Sequence, residues 1–141
     1  MGTTQVSARW TGEALNFVGT DTKGNSIPMG GSNVSPGQML LLGLAGCMGM
    51  DVVSILEKKR QKIGAVQVQV TGHQPEDYPR PYQLAEIAFT VTGDHIDPNA
   101  VARAIELSRD KYCTVGQTLQ NEVKITTSFT IVEVEGELAR K

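Results

Sequence analysis

The chain has 141 residues, of which 40% are hydrophobic and 20% are charged, and its net charge is −2. A chain of this length holds one hydrophobic core, so we expect residues 1–141 to form a single domain. The near-neutral charge and the lack of a basic cluster larger than residues 57–62 argue against nucleic acid as a partner. Residues 1–6 have neither the charged nor the apolar region of a secretory signal, which predicts a cytoplasmic protein.

Residues 1–34 have the pattern of a small antiparallel meander. Apolar and polar side chains alternate over residues 5–10, which is the period of a half-buried strand. Weaker strand candidates at 16–20 and 26–29 are separated by residues 21–25, whose sequence Asp-Thr-Lys-Gly-Asn is typical of a turn. We therefore expect three short strands in this part of the chain.

Residues 35–62 predict one long helix. Ser35 is a good N-cap, and Pro36 suits the first helical position, where its missing N–H has no intrahelical partner. Gly64 follows as a possible stop. No charge occurs from Met39 through Met50, but this run is shorter than the about 20 apolar residues that cross a bilayer. We therefore expect no membrane partner.

The same helix predicts a homodimer. Residues 35–60 would be about 39 Å long at about 1.5 Å per residue, which exceeds the roughly 30 Å diameter of a small domain. Gly43, Gly46 and Gly49 lie in its apolar run, and each costs about 1 kcal/mol of helix propensity relative to alanine. Close packing against another backbone would compensate, so we expect the long helices to be central in an intimate homodimer.

Residues 65–135 predict a β-β-α-α-β unit. Strand patterns at 66–71 and 82–92 flank a proline-rich loop and are expected to form a long hairpin. Asp97 and Pro98 have the order of an N-cap and a first helical residue, and they predict a second helix. Its apolar stripe consists of Val101, Ala104, Ile105, Ser108 and Tyr112.

The second cysteine falls at the end of that helix. Thr114 and Gln117 have capping-box spacing, which predicts a short further helix with Cys113 just before its N-terminus. A closing strand is predicted over 123–135, and the residues from Gly136 are expected to form a frayed tail. Strands grouped with segregated helices predict an α+β fold with antiparallel sheets and a long central helix.

The residues that could carry chemistry are few. Two cysteines separated by 65 residues (48–112) and two histidines in unrelated loops lack zinc-ligand spacing, so we expect no metal. No phosphate-binding glycine loop occurs, so no cofactor is predicted. What remains is thiol chemistry at Cys47 or Cys113, unless both cysteines are core residues, a frequent place for cysteine.

The two cysteines differ in their surroundings along the sequence. Cys47 lies about three turns inside its helix, where the dipole has faded, and Asp51 one turn further on would oppose a thiolate there. Any activation of Cys47 must therefore come from another segment. Cys113 is better placed for a thiolate, because it lies beside a helix N-terminus and near Lys111.

Two segments of the chain share a recognisable pattern around their cysteines. The first reads Leu-Leu-Gly-Leu-Ala-Gly-Cys over 41–47, followed by Asp-Val-Val at 51–53. The second reads Arg-Ala-Ile-Glu-Leu-Ser over 103–108, followed by Lys-Tyr-Cys at 111–113. Together they resemble the OsmC/Ohr family, and its OsmC-like branch more than the organic hydroperoxide resistance proteins proper. The resemblance runs from the first predicted strand to the last and implies an intertwined homodimer of α+β fold.

The resemblance also implies a redox reaction in the service of oxidative-stress defence. Cys47 corresponds to the family's peroxidatic cysteine, which attacks the O–O bond of an organic hydroperoxide and becomes a sulfenic acid. Cys113 corresponds to the resolving cysteine, which condenses with that sulfenic acid to a disulfide. A dithiol reductant of lipoyl or thioredoxin type then restores both thiols.

The sequence departs from the family pattern where the peroxidases activate the thiolate. Gly37 stands where they have a glutamate that holds an arginine, and Thr114 replaces the usual proline after the second cysteine. No arginine aligns with theirs, which leaves Arg9 and Arg80 as substitutes and Gln38 as an uncharged hydrogen-bonding group for the peroxide. An arginine of this kind stabilises a developing oxyanion by several kcal/mol.

These departures leave a second hypothesis of a different class. The chain would then be a non-catalytic dimer that binds a small molecule or senses redox state, having kept the fold and lost the arginine. A rapid disulfide formed by peroxide would count against it.

Overall fold

A computed structural model describes residues 1–135, and the tail predicted from Gly136 lies outside them. The elements in chain order are β1 (Ser7–Trp10), β2 (Phe17–Thr20), β3 (Ser26–Met29), α1 (Pro36–Lys58), β4 (Lys62–His73), β5 (Leu84–Asp94), α2 (Pro98–Leu107), a π-helical turn (Ser108–Tyr112), α3 (Thr114–Leu119) and β6 (Lys124–Glu133). The chain divides into two compact units, one ending at Leu40 and the other beginning at Leu41.

The first unit contains the predicted meander. β1 pairs antiparallel with β2, and β2 pairs antiparallel with β3. The turn predicted between β2 and β3 is closed by Asp21, whose Oδ1 accepts hydrogen bonds from the backbone N–H groups of Lys23 (2.9 Å) and Asn25 (2.8 Å). A hydrogen bond from the Asn25 side chain, followed by these backbone bonds, holds the pKa of Asp21 below its usual range.

The start of α1 is as predicted, and its end is not. Ser35 Oγ accepts a hydrogen bond from the Gln38 backbone N–H at 3.3 Å, so Ser35 is the N-cap. The helix stops at Lys58 without Gly64, because Arg60 takes a left-handed conformation with φ of 58°. The N–H groups of the two residues after Lys59 then bond back to the carbonyls of Glu57 (2.9 Å) and Leu56 (3.0 Å), which is a Schellman motif.

One face of α1 and one face of β5 form the core of the second unit. The fully buried residues of α1 recur every four positions and are Leu44, Met48, Val52 and Leu56. The buried hydrophobic residues of β5 alternate, as the sequence predicts, and are Ala85, Ile87, Phe89 and Val91. The buried face of α2 completes this cluster with Val101, Ala104 and Ile105.

The sheet of the second unit is mixed. β4 and β5 form the predicted antiparallel hairpin, with a register shift between Ile63 and Ala65. β6 pairs with β5 in parallel, whereas an antiparallel sheet is predicted. The reason is the crossover: α2, the π-helical turn and α3 return the chain to the end of the sheet where β5 began.

The π-helical turn changes the predicted end of the second helix. Asp97 caps α2 by accepting a hydrogen bond from the Asn99 N–H at 2.9 Å, as expected. The wider turn from Ser108 onward shifts the helical phase, so Tyr112 leaves the apolar stripe and is 51% exposed. The N-cap of α3 also differs from the prediction. The Cys113 sulfur, and not the Thr114 hydroxyl, accepts the hydrogen bond from the Gly116 N–H.

α1 is long and apolar enough to cross a membrane by length and composition, with 23 residues and a mean hydropathy of 2.0 over its apolar window. The uncharged run of 39–50 on its own is too short, but the whole helix is not. A core helix of a soluble protein passes the same test, and α1 contributes four residues to the core described above. This property of α1 is therefore weak evidence for a membrane span.

Replacing Ile87 with alanine is expected to lower the free energy of unfolding by about 2–5 kcal/mol, because the side chain is 1% exposed and its loss leaves a cavity in the core. The matched control is Val132→Ala on β6, where the side chain is 42% exposed and the expected loss is below about 1 kcal/mol. Urea denaturation of both variants measures the difference, and equal losses would contradict this description of the core.

Candidate active site

Three side chains that are distant in sequence meet in the second unit. They are Cys47 and Asp51 of α1 and Cys113 at the junction of the π-helical turn and α3. The two sulfurs and one carboxylate oxygen of Asp51 all lie within 4.8 Å of one another. The structure thus brings together three of the residues that the sequence singles out, and both cysteines are free thiols.

The geometry of α1 aligns the first two groups. Residues four apart on a helix lie one above the other, so Cys47 and Asp51 share a face. Both are half-buried, next to the fully buried column that begins with Leu44 and Met48. The packing of that column therefore fixes the direction in which the sulfur and the carboxylate point.

Ser108 holds the Asp51 carboxylate through a hydrogen bond. Its hydroxyl donates a hydrogen bond to Asp51 Oδ2 at 2.8 Å, and the side chain is fully buried. Sequence analysis places Ser108 on the apolar stripe of the second helix without assigning it a role. A lone hydroxyl among apolar core residues is the signal that could have identified it, since buried polar groups need partners.

Cys113 lies deeper than Cys47. Its side chain is fully buried, and its sulfur accepts a hydrogen bond from the Gly116 backbone N–H at 3.2 Å. This bond makes Cys113 the N-cap of α3, which has only six residues. The two sulfurs thus differ in access, because solvent reaches Cys47 and not Cys113.

Burial raises the pKa of the Cys113 thiol to about 12. A hydrogen bond with the Cys47 sulfur and the negative charges of Cys47 and Asp51 act in the same direction, and the Gly116 N–H acts against them. The expectation that Cys113 is well placed for a thiolate is therefore wrong. One short helix terminus does not compensate for the loss of water around the sulfur.

The other predicted site residues belong to other segments of the chain, two of them to the first unit. Arg9 is exposed on β1, and Gln38 is exposed in the first turn of α1. Arg80 is exposed in the loop between β4 and β5, where its Nε donates to the Pro75 carbonyl at 2.8 Å and its guanidinium lies 5.7 Å from the centre of the Tyr78 ring. In the part of the second unit that is described, residues 41–135, no hydrogen bond or ion pair joins an arginine to either sulfur.

Lys111, which the sequence places near Cys113, also interacts with a group other than the Cys113 sulfur. Its ammonium nitrogen lies 5.3 Å from the centre of the Tyr112 ring. Arg109, one turn before Cys113, pairs with Asp110 at 2.8 Å. The basic residues of the π-helical turn are thus engaged with their own neighbours.

An open apolar groove lies along α1 and β4. Its volume is about 790 Å³, and among the residues that line it are Leu42, Gly46, Gly49, Met50 and Val68. A Cβ atom added at Gly43 or Gly46 would meet nothing within 4 Å, while one at Gly49 would lie 3.1 Å from Val68. This face of α1 is therefore apolar and uncovered in a single chain.

The fold and the paired thiols define a small α+β dithiol protein. A family model described as OsmC-like protein matches residues 29–128. The chain therefore belongs to the OsmC-like family. It is 39% identical to protein YhfA of Escherichia coli K12 over 132 residues, which cover 91% of this chain and 98% of YhfA.

Solved structures agree with this family and with the predicted α+β fold. A hypothetical protein from Aquifex aeolicus VF5 is 27% identical, with a TM-score of 0.87 over 96% of this chain and 100% of that chain. The organic hydroperoxide resistance protein OhrB of Bacillus subtilis shares the fold, with a TM-score of 0.60, 14% identity, and coverage of 92% of this chain and 98% of that chain.

The raised pKa of Cys113 predicts a loss of stability at alkaline pH. The unfolded chain releases the thiol proton from about pH 9, whereas the folded chain keeps it until about pH 12. The unfolded state therefore binds fewer protons in this window, and the free energy of unfolding contributed by Cys113 falls as pH rises through it.

Chemical denaturation at a series of pH values measures this effect as the difference between the wild type and Cys113→Ala. Plotted against pH, the free energies of unfolding of the two proteins should run parallel below about pH 9 and converge above it. Thr114→Ala, next in the chain and exposed, controls for the change of residue and should follow the wild type. Parallel profiles for Cys113→Ala throughout would contradict the protonated, buried thiol.

Proposed function

We propose that this protein reduces organic hydroperoxides with Cys47 and Cys113 as a redox pair, and that it serves in oxidative-stress defence. One observation carries the proposal: two free sulfurs lie within 4.8 Å of each other although their residues belong to different elements. A small movement of either side chain brings such sulfurs to bonding distance, which is about 2 Å. Membership of the OsmC-like family supports the same reaction.

The unequal burial of the two sulfurs assigns their roles. Cys47 is half-buried and can meet a substrate, so it is the peroxidatic residue. Cys113 is fully buried and is the resolving residue, because a hydroperoxide does not reach it before Cys47. Protonation of Cys113 at neutral pH supports this order, since a thiol held in that form does not compete for the peroxide.

The reaction balances in two steps. The Cys47 thiolate attacks one oxygen of the hydroperoxide, the O–O bond breaks, and the products are a sulfenic acid at Cys47 and an alcohol once the alkoxide takes a proton. The Cys113 sulfur then displaces hydroxide from the sulfenic sulfur, which gives the disulfide and water. The carboxylate of Asp51, within 4.8 Å of the Cys113 sulfur, is positioned to accept the proton that this thiol loses.

Regeneration requires an external dithiol. A lipoyl or thioredoxin-type reductant attacks the disulfide at the more accessible Cys47 sulfur and leaves oxidised as its own disulfide. Such reductants act where thiols are kept reduced, so the proposal assigns the protein to the cytoplasm.

The proposal includes a homodimer, since members of the OsmC/Ohr family function as dimers. The apolar groove along α1 supports it, with Leu42 59% and Met50 74% exposed in the single chain. The open space beside Gly43 and Gly46 leaves room for a second backbone to approach. The partner we propose for this face is a second copy of the chain, with its α1 against the same surface.

A second candidate function is a redox sensor without turnover. Within the described part of the second unit, no hydrogen bond or ion pair joins a guanidinium to either sulfur, and the Asp51 carboxylate lies within 4.8 Å of both thiols. An anion there opposes the thiolate and the developing alkoxide, which slows attack on a peroxide. A sensor forms the disulfide once per signal and tolerates this slow step.

Replacement of Cys47 by serine is expected to reduce the consumption of cumene hydroperoxide in the presence of a dithiol to the uncatalysed rate, because the attacking sulfur is gone. Cys113→Ser is expected to react once and then stop, since the sulfenic acid has no resolving thiol and oxidises further. Peroxide assays and intact-mass spectrometry measure both outcomes.

Thr114→Ser, beside Cys113 in the chain and exposed, is the matched control and should retain wild-type turnover. If the wild type forms a disulfide with stoichiometric peroxide but does not turn over with any dithiol, the sensor is correct. If neither disulfide nor turnover occurs with both thiols intact, both functions are wrong.

Gly46→Leu is expected to weaken the proposed dimer, because the leucine side chain enters the groove where the second helix would lie. The variant should therefore contain a larger fraction of monomer than the wild type. Ala102→Leu places the same leucine side chain at an exposed position of α2 and should leave the dimer unchanged. Sedimentation velocity at micromolar concentration measures both variants. A wild type that is monomeric under these conditions would contradict the dimer.

A further inference from the structure

We propose that Cys47, Asp51 and Cys113 also form a binding site for a soft divalent cation of the zinc type, and that the bound cation blocks the redox pair. The site itself stands on the geometry of these three side chains, while the blocking effect rests on the function proposed above. Sequence analysis predicts no metal, because neither the two cysteines nor the two histidines have zinc-ligand spacing. The tertiary structure supplies the arrangement that the spacing lacks.

The separation of the three ligand atoms suits a tetrahedral ion. With zinc bonds of about 2.3 Å to sulfur and about 2.1 Å to oxygen, two ligands of one ion lie about 3.6–3.8 Å apart. The Cys47 and Cys113 sulfurs and the Asp51 oxygen are already within 4.8 Å of one another. Small side-chain rotations close the remaining gap without moving α1 or α3.

The donor set selects the class of ion. Two thiolates and one carboxylate are ligands of zinc, whereas magnesium and calcium take oxygen ligands only. The three protein ligands leave a fourth tetrahedral position for water. Cys47 and Asp51 are half-buried, so they form the open side through which the ion and this water enter.

Two neighbouring groups orient the ligands as the outer shell of a metal site does. The Ser108 hydroxyl holds Asp51 Oδ2 at 2.8 Å, which leaves the other carboxylate oxygen available for the ion. The Gly116 N–H holds the Cys113 sulfur at 3.2 Å and offsets part of its charge once the ion displaces the proton. Groups of this kind change metal affinity by about 10–100-fold when removed.

The other candidate clusters of the described residues are weaker. His73 Nε2 and Glu86 Oε1 lie 2.5 Å apart, but this exposed pair provides one nitrogen and one carboxylate. His95 and Asp94 form a similar pair between adjacent residues. Neither belongs to a group of three ligating side chains, as the dithiol cluster does.

Zinc binding and disulfide formation exclude each other because both use the same two sulfurs. Binding replaces two thiol protons, so Zn²⁺ and two thiols give a zinc dithiolate and two protons, with Asp51 as the third ligand. No electrons are transferred in this step. A disulfide has no thiolate to offer, and a zinc-bound Cys47 sulfur is not free to attack a hydroperoxide.

To test the site, Zn²⁺ alone is titrated into the fully reduced protein, without peroxide. Competition with a chromophoric chelator gives the stoichiometry and the affinity of zinc binding. We expect one ion per chain, and a loss of affinity of at least about tenfold in each of Cys47→Ser, Cys113→Ser and Asp51→Asn. His73→Gln, which removes one ligand of the competing His73–Glu86 pair, should keep wild-type affinity. Co²⁺ in place of Zn²⁺ should give a thiolate charge-transfer band that both cysteine variants weaken.

The fold of each variant is checked by circular dichroism. If the buried Cys113→Ser variant does not fold, the half-buried Cys47 and Asp51 variants still test the site. Absence of zinc binding to the reduced wild type, or wild-type affinity in Cys47→Ser and Asp51→Asn, would overturn the site.

A second measurement separates this inference from the proposed function. One equivalent of Zn²⁺ should slow peroxide-driven disulfide formation at least about tenfold, and a chelator should restore it. If zinc binds as described but no disulfide forms with the chelator present, the redox function fails and the metal site stands. If the disulfide forms equally fast with zinc bound, the blocking effect is wrong.

Discussion

The buried face of α1 is the constraint on which the rest of the site depends. Leu44, Met48, Val52 and Leu56 pack against β5 and α2 in one cluster and set the rotation of the helix about its axis. That rotation places Cys47 and Asp51 at the edge of the core, half-covered, on the side where Cys113 lies. A change in the packing of α1 would therefore move two of the three reactive groups together.

The crossover after β5 supplies the third group. α2 and the π-helical turn carry Ser108 and Cys113 to α1, and the chain then enters β6 parallel to β5. The π-helical turn matters here because it releases Tyr112 to solvent while Ser108 remains buried against Asp51. The same local irregularity thus ends the apolar stripe and begins the site.

Among the described residues of the second unit, no hydrogen bond or ion pair joins an arginine to either sulfur, so the charge nearest the thiols in the cluster is a carboxylate. Two thiols and a carboxylate share a partly dehydrated space, and burial together with repulsion from the charges of Cys47 and Asp51 raises the pKa of the Cys113 thiol. Protons, a disulfide or a cation relieve this repulsion in different ways. The disulfide of the proposed redox function and the cation-bound form of the proposed metal site are two of these three states of one cluster. Both depend on which groups reach Cys47.

Sequence alone determined the α+β class, the meander, the start of α1, the alternating face of β5 and the cap of α2, because each follows from periodicity or from a cap next to it in the chain. It also singled out both cysteines and Asp51. Only the tertiary structure decided that Cys113 is buried with a raised pKa, that Ser108 holds Asp51, and that β6 is parallel. The reason is physical: dehydration of a sulfur, and the pairing of residues 40 or 57 positions apart, depend on which surfaces pack together. The end of α1 at Lys58, which the left-handed Arg60 sets, is a smaller case, because a left-handed residue other than glycine leaves no mark in the sequence.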